Sequence, residues 1–375
     1  MAGGLGLKNT FRNRVYEPLQ RFRGSEATAG REISLVDFMQ TRALNADNKP
    51  VGLTNAKQEP ITMKDLWIDF GIDPATVTLD NLLGTSDDMR YLTPELIREF
   101  IFLGVNADLS YADLVAGTEN SGSLTVTSPW IASKTDLDMN TGEAETISEA
   151  EIEWGDKTVR LTKKAKALTL SDELILSTPL NLLGYFLKRF GTMLAASTYI
   201  EGINTLIHGD QTSGNDACAV IGVDDTANGT QFKDFLRCWI RARRLFMSWT
   251  NLINNEATAF EILQINEFFK PQGFGTTVVT LDSKNRVVPS EIPHLIGAPL
   301  DDGQSLLFDK SQAMIYLVFR GLLVENERIM MRQINGTAAS MIGGYTTINR
   351  LARVITDASL PYSTNTFPSF MAPLI

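Results

Sequence analysis

Histidine and cysteine are the scarcest chemistry-bearing residues of this chain, with two of each in 375 residues. With only His208 and His294 available, imidazole-based catalytic arrangements are severely limited. There is no Gly-x-Ser-x-Gly elbow, His-Glu-x-x-His pair, Walker loop or complete Gly-x-Gly-x-x-Gly. Gly4-Leu5-Gly6 and Gly273-Phe274-Gly275 are fragments of the last pattern, without its third glycine or a preceding strand. Cys218 and Cys238 show neither Cys-x-x-Cys nor His-Cys spacing, which excludes a recognisable zinc site or disulfide framework. Both read as small buried hydrophobes. Long apolar runs are missing too: no window approaches the roughly 18 uninterrupted residues of a membrane span. Residues Met1-Ala2-Gly3-Gly4-Leu5-Gly6 lack the basic start and apolar run of a secretory signal, so export is not expected.

Positive charge is also in deficit. The formal net charge is -10, which argues against a general nucleic-acid binder because phosphate binding needs a positive field. The exception is local: between Met1 and Gly30, Lys8, Arg12, Arg14, Arg21 and Arg23 face only Glu17 and Glu26. This basic arm is a candidate inner-surface contact for nucleic acid or an acidic neighbour; a solvated helix face is the alternative. With 43% apolar and 21% charged residues the remainder is ordinary globular protein, long enough for two or three compact units.

What the chain does contain is helical pattern at both ends of a charged stretch. Phe11, Val15, Tyr16, Leu19 and Phe22 fall at helical spacing, Ile33, Val36, Phe38 and Met39 do so less regularly, and Pro60 opens a third segment, Ile61 to Phe70. None is long enough to stand alone, so all must dock on something. Thr93-Pro94 predicts a helix start with Thr93 as cap and Pro94 as first helical residue. Thr118 to Ser128 reads as a loop followed by a strand. Between Leu180 and Ile207 the apolar residues Leu183, Phe186, Phe190, Met193, Ile200, Ile203 and Ile207 predict one uninterrupted helix of about 28 residues and about 42 Å. Thr178-Pro179 repeats the cap-then-proline start. His208 beside Gly209 reads as the helix end, where an imidazolium favours the dipole and glycine supplies the stop. A second amphipathic helix runs from Phe232 to about Met247, with Lys233, Arg237, Arg241 and Arg244 opposite its apolar side. Strands are predicted at Thr276 to Leu281, Ser305 to Phe308, Met314 to Phe319 and Leu322 to Glu325. The order of elements indicates an α+β fold with segregated layers.

The charged stretch itself reverses sign. Asp136, Asp138, Glu143, Glu145, Glu149, Glu151, Glu153 and Asp156 give way to Lys157, Arg160, Lys163, Lys164 and Lys166. Alternation from Ser133 to Leu170 predicts a two-stranded ribbon with little core of its own, which needs external contacts. The carboxylates raise a metal or glycosidase hypothesis, but side chains along an exposed ribbon are not desolvated, so nothing shifts a pKa or excludes water. Asp136-x-Asp138-x-Asn140-Thr141-Gly142 mimics the start of a calcium loop, yet Ile147 stands where that loop needs glutamate. Glu145, Glu149, Glu151, Glu153, Lys157, Arg160, Lys163 and Lys164 are instead candidates for contact between subunits.

The run Trp154-Gly155-Asp156-Lys157-Thr158-Val159-Arg160-Leu161-Thr162-Lys163-Lys164-Ala165-Lys166-Ala167-Leu168-Thr169-Leu170-Ser171-Asp172-Glu173-Leu174-Ile175 resembles the tailed-phage major capsid proteins of the HK97-type fold, where their extended loop returns to the body and enters a spine helix. Four more places agree in order: Tyr91-Leu92-Thr93-Pro94-Glu95, Ile207-His208-Gly209-Asp210, Leu252-Ile253-Asn254-Asn255, and Gly297-Ala298-Pro299 through Leu307-Phe308-Asp309 to Arg320-Gly321-Leu322-Leu323-Val324. The first 90 or so residues depart from the pattern by being long and helical; an arm, a removable built-in scaffold and a small added domain all stay open.

The resemblance implies an HK97-like α+β fold divided as 1–88 N-terminal arm or extension, 89–132 lead-in to a peripheral domain, 133–168 extended loop, 169–213 spine helix, 214–312 axial domain, and 313–375 return strands with the C-terminal tail. It implies a structural protein rather than an enzyme, with no cofactor, self-assembling into hexamers and pentamers of an icosahedral phage head around double-stranded DNA. Scaffold and portal proteins, and in some members decoration proteins, would be its partners, with no membrane contact; the location would be the virion, assembled in the bacterial cytoplasm. An encapsulin-type compartment shares the fold and is the nearest alternative; a carboxylate-dependent hydrolase is a distant one.

Overall fold

A computed structural model describes residues 10–26, 33–44, 50, 52–54, 58–73, 76–77, 89–105, 111–127, 130–131, 152–153, 158–171, 178–210, 217–223, 231–244, 248–263, 299–329, 334–361, 363–364 and 366. The fold is α+β. Three short helices come first: a π-type turn, Arg12–Tyr16, leads into α1 (Glu17–Glu26), followed by α2 (Leu35–Thr41) and α3 (Met63–Phe70). The Asp65 carboxylate accepts from the Thr62 N–H at 2.8 Å, so α3 is capped by Thr62 and Asp65 and starts later than Pro60 suggests. As their length requires, the three helices share a core with later elements. Phe11, Leu19, Phe38, Met39 and Leu66 are buried in one cluster with Leu96, Leu187 and Leu194.

The next helix, α4 (Met89–Val105), begins ahead of Thr93-Pro94. Pro94 supplies no N–H to the preceding turn, but Leu92 is fully buried one turn before Leu96, and that burial carries the helix through the proline. On α4, Glu95 and Glu99 are buried as latches for the N-terminal helices. Glu95 accepts from Gln20 Nε2 at 3.0 Å, and Glu99 from the Leu35 N–H at 2.9 Å, which opens α2.

Helix α5 (Leu180–His208) is the predicted long helix, 29 residues and about 44 Å. Its N-cap is Pro179 rather than Thr178, and its first N–H is taken by Val77 of the N-terminal region at 2.9 Å. Glycines let α4 and α5 touch backbone to backbone. A Cβ on Gly191 would lie 2.1 Å from the Ile101 carbonyl oxygen, and one on Gly104 would lie 2.0 Å from that of Lys188.

Strands β1 (Thr118–Asn120), β2 (Thr125–Thr127), β3 (Trp130–Ile131), β4 (Ile152–Glu153), β5 (Thr158–Arg160) and β6 (Thr162–Ser171) occupy the charged region and its approach. Their pairing divides the expected ribbon. β2 pairs with β5 and β3 with β4, both antiparallel, so a two-stranded ribbon exists with its outgoing arm starting at Thr125. The basic half beyond Leu161, expected as one arm of that ribbon, is instead an edge strand of a larger sheet. There β6 pairs antiparallel with β11 (Ile334–Thr347), in register Gly343↔Thr162 to Ile334↔Ser171. That sheet has the order β1-β10-β11-β6, where β10 is Met314–Ile329. Met314 to Phe319 and Leu322 to Glu325, expected as two strands, form this one strand with register shifts at Val318/Arg320 and Arg320/Leu323.

A second sheet, β7-β12-β9-β8, is built from β7 (Ala219–Gly222), β8 (Asn251–Asn254), β9 (Gln304–Phe308) and β12 (Arg353–Asp357). Alternate residues face two different cores. Leu307, Leu252 and Val354 pack under α6 (Phe232–Arg244) through Phe235, Cys238 and Ala242, while Leu306, Phe308 and Ile355 join the main core. Helices α7 (Glu256–Leu263) and α8 (Lys310–Ala313) complete the description. The strand expected at Thr276 to Leu281 lies outside the described residues.

Candidate functional site

Of the described candidates, Lys163 and Lys164 share strand β6, which lies against α5. Strand β6 runs alongside α5, and its Lys164 ammonium forms an ion pair with Glu201 of α5 and donates to the Ser197 carbonyl at 3.1 Å. Burial pulls the Lys164 pKa below its usual value, against the opposing pull of the Glu201 hydrogen bond and charge. Lys166 reaches the Met193 sulfur, and the Thr162 hydroxyl donates to Glu201 at 2.9 Å. Lys164 is thus committed within its own chain, while Lys163 and Arg160 are exposed, the latter on β5 opposite Thr125. Glu153 pairs through its backbone with Trp130 in the ribbon. Glu145, Glu149, Glu151 and Lys157 lie outside the described residues, as does the Asp136 to Asp156 carboxylate cluster apart from Glu153 and its neighbour Ile152.

Alongside β6, α5 exposes large apolar side chains among polar ones such as Lys188, Arg189 and Ser197. Its buried stripe is Leu183, Leu187, Phe190, Leu194, Tyr199, Ile203 and Leu206. Leu182, Tyr185, Phe186, Met193 and Ile200 nevertheless remain exposed, Tyr185 at 66% and Phe186 at 55%. Of the apolar residues whose spacing predicts the helix, Phe186, Met193 and Ile200 lie on this second, exposed stripe. Large apolar side chains grouped on an exposed face are a usual sign of a contact surface.

The far end of α5 is held by a residue that sequence reasoning missed. Arg353 of β12 is fully buried and donates from Nη1 to the carbonyls of Thr205 and Leu206 at 2.9 and 3.0 Å. A cation here complements both the dipole and the unsatisfied carbonyls of a helix C-terminus. His208 stands in the last turn but is exposed, and Gly209 takes the positive φ of 79° that stops the helix. Asp210, just beyond, accepts from the Thr347 N–H at 3.3 Å, pinning the same end to β11. No local pattern announces Arg353, since its partners lie in a distant element.

The basic N-terminal arm proves to be a docked helix. Arg14 donates to the Leu44 carbonyl at 3.0 Å and Arg12 pairs with Glu17 at 3.1 Å; Arg21 is exposed. Lys8 and the Arg23 side chain lie outside the description. Among the described residues no group of His, Cys, Asp and Glu could hold a metal ion, and no helix is long and apolar enough to cross a membrane.

No family model matches the sequence, and comparison with curated protein sequences finds no match. Similar solved structures are shell proteins. The holo-SrpI encapsulin complex of Synechococcus elongatus aligns with a TM-score of 0.46 at 11% identity, over 67% of this chain and 88% of that one. The capsid of cyanophage P-SCSP1u aligns at 0.45 with 12% identity, over 65% and 86%. A virus-like particle from Pyrococcus furiosus aligns at 0.44 with 13% identity, over 70% and 98%.

Proposed function

We propose that this chain is a structural protein that assembles with copies of itself into a closed shell, as the major capsid proteins of tailed phages do. The observation that carries this reading is the uncovered apolar stripe Leu182, Tyr185, Phe186, Met193 and Ile200 along a 29-residue helix, beside a strand edged with exposed lysine. A monomer gains nothing from leaving that stripe in water, whereas a lattice of copies can cover it in every subunit. The ribbon supports the same reading: Val126 and Val159 at its base pack on Leu317 of β10, but its outer pair, β3 with β4, is marginal without a neighbour.

Within this reading the subunits form hexamers and pentamers around packaged double-stranded DNA, with scaffold and portal proteins as partners. A net charge of -10 keeps packed DNA from adhering to the wall, and the exposed Arg12 and Arg21 offer a local contact. The test is to express the chain alone and with the scaffold gene beside it, and to inspect the product by electron microscopy. Shells of uniform size are expected; monodisperse monomers under every assembly condition would refute the proposal. The nucleic-acid content of shells purified from the native source separates a DNA-filled head from an encapsulin-type compartment holding protein cargo.

A further inference from the structure

Helices α6 and α7 pack on the same side of the β7-β12-β9-β8 sheet, with Phe235, Cys238 and Ala242 of one and Ile262 of the other in a single core cluster. Their outward faces have opposite chemistry. On α6 the positions Lys233, Leu236, Arg237, Ile240 and Arg241 recur at three- and four-residue steps and line one shallow groove. Leu236 and Ile240 are 36% and 42% exposed, so cations and apolar side chains share that face. On α7 the exposed positions are Glu256, Ala257, Phe260 and Glu261, with Phe260 63% exposed. Exposed Asp301 and Asp302 extend this acidic surface, and Asp302 is fastened to Asn255 immediately before α7.

We infer that the basic, apolar face of α6 on one copy receives the acidic face of α7, centred on Phe260, from the next copy. Phe260 seats between Leu236 and Ile240, while Glu256 and Glu261 meet Lys233 and Arg237. The occupant is a second copy because the same chain carries both complementary halves, and each half has an apolar centre with a charged surround, the anatomy of a protein interface. Two different patches in contact make the association head-to-tail, and such a contact repeated by rotation closes into a ring. The inference rests on the self-assembly reading and specifies which surfaces join neighbours within one ring of subunits.

The test is charge reversal with compensation, read by the concentration at which shells form. Lys233→Glu with Arg237→Glu should raise that concentration about tenfold or more, as should Glu256→Lys with Glu261→Lys, because like charges are brought together. Combining all four should restore assembly. Circular dichroism on each variant confirms folding, since all four side chains reach solvent. As a second measurement, Leu236→Cys chains are mixed with Phe260→Cys chains and oxidised; Cys218 and Cys238 are buried and stay silent. A disulfide dimer containing one chain of each kind is expected. Wild-type shells with unchanged assembly in both charge-reversed variants, or shells without the mixed disulfide, would overturn this contact and leave the shell reading standing. A wild-type chain that never assembles would overturn both.

Discussion

Replacing Gly191 by alanine sets two physical effects of opposite sign against each other. In an isolated helix the change is favourable by about 1 kcal/mol, because glycine loses more backbone freedom on folding. In α5 the new methyl would lie 2.1 Å from the Ile101 carbonyl oxygen and 3.0 Å from the Gly104 Cα. A comfortable carbon–oxygen contact is about 3.3 Å, so α4 and α5 must part by roughly 1.2 Å. Both obstructing atoms are backbone, so no side chain can rotate away. A gap of that size forfeits about half or more of each dispersion contact across the crossing, and overpacking of this kind costs about 1–3 kcal/mol. The Thr192 hydroxyl also donates to the Gly104 carbonyl at 3.2 Å, a bond worth about 1 kcal/mol that stretches as the helices part. Net destabilisation of about 2 kcal/mol is expected after the helix-propensity gain. The assay is urea unfolding of the unassembled subunit, followed by far-ultraviolet circular dichroism. Gly117→Ala is the control, since nothing lies within 4 Å of its added carbon. Gly104→Ala should cost a similar amount, and the double variant less than the sum, because the helices separate only once. A Gly191→Ala subunit as stable as wild type, or more stable, would refute the backbone contact.

Further outcomes follow at Arg353, Cys238 and Lys164. Arg353→Met should weaken the chain by about 3 kcal/mol, since it leaves two helix-end carbonyls without a charged donor; faster amide hydrogen exchange near Thr205 to His208 would show it. Burial pushes the Cys238 thiol up to about 12, so Ellman's reagent at pH 8 should leave it untouched until the protein unfolds. The folded state holds this proton more tightly than the unfolded chain, so stability from this group should fall as pH rises from about 9 towards 12. Lys164 behaves in the opposite sense: its lowered pKa means the unfolded chain binds the proton more tightly, and stability should rise with pH on the approach to 10.5. Glu201→Gln removes the partner that props up its charge, so the Lys164 pKa should drop further, visible as faster acetylation of that lysine below pH 10.

The parts of the fold legible in the sequence were those governed by local pattern. The 29-residue helix announced itself by apolar spacing without proline, and Phe232–Arg244 by its single amphipathic stripe. Strand β11 was invisible because Gly336, Ala338, Ala339, Gly343 and Gly344 look like loop composition. Their smallness is imposed from outside: a Cβ on Gly343 would sit 2.3 Å from the Tyr316 hydroxyl oxygen of the paired strand. The pairing of the basic strand β6 is hidden for a related reason. Alternation tells that residues 162–171 are extended but not which strand they pair with, and β11 lies far along the chain. At the candidate surface, the lysines were legible as charge, whereas the exposure of Phe186 and Met193 depends on which side of α5 the sheet occupies.

The bond from Arg353 to the end of α5 also has a direction in time. Leu206 and Arg353 are 147 residues apart in the chain, so at about 5–20 residues per second a ribosome makes the helix roughly 7–30 s before the arginine that secures it. During that interval the apolar stripe of α5 exists on a helix whose last turn is still unfastened. Only a chain synthesised past Arg353 can fasten that turn, so products that stop before it present the stripe on a looser support. Strand β12 therefore distinguishes chains that carry Arg353 from those that stop short of it, a distinction that matters to any structure in which one faulty copy spoils its neighbours.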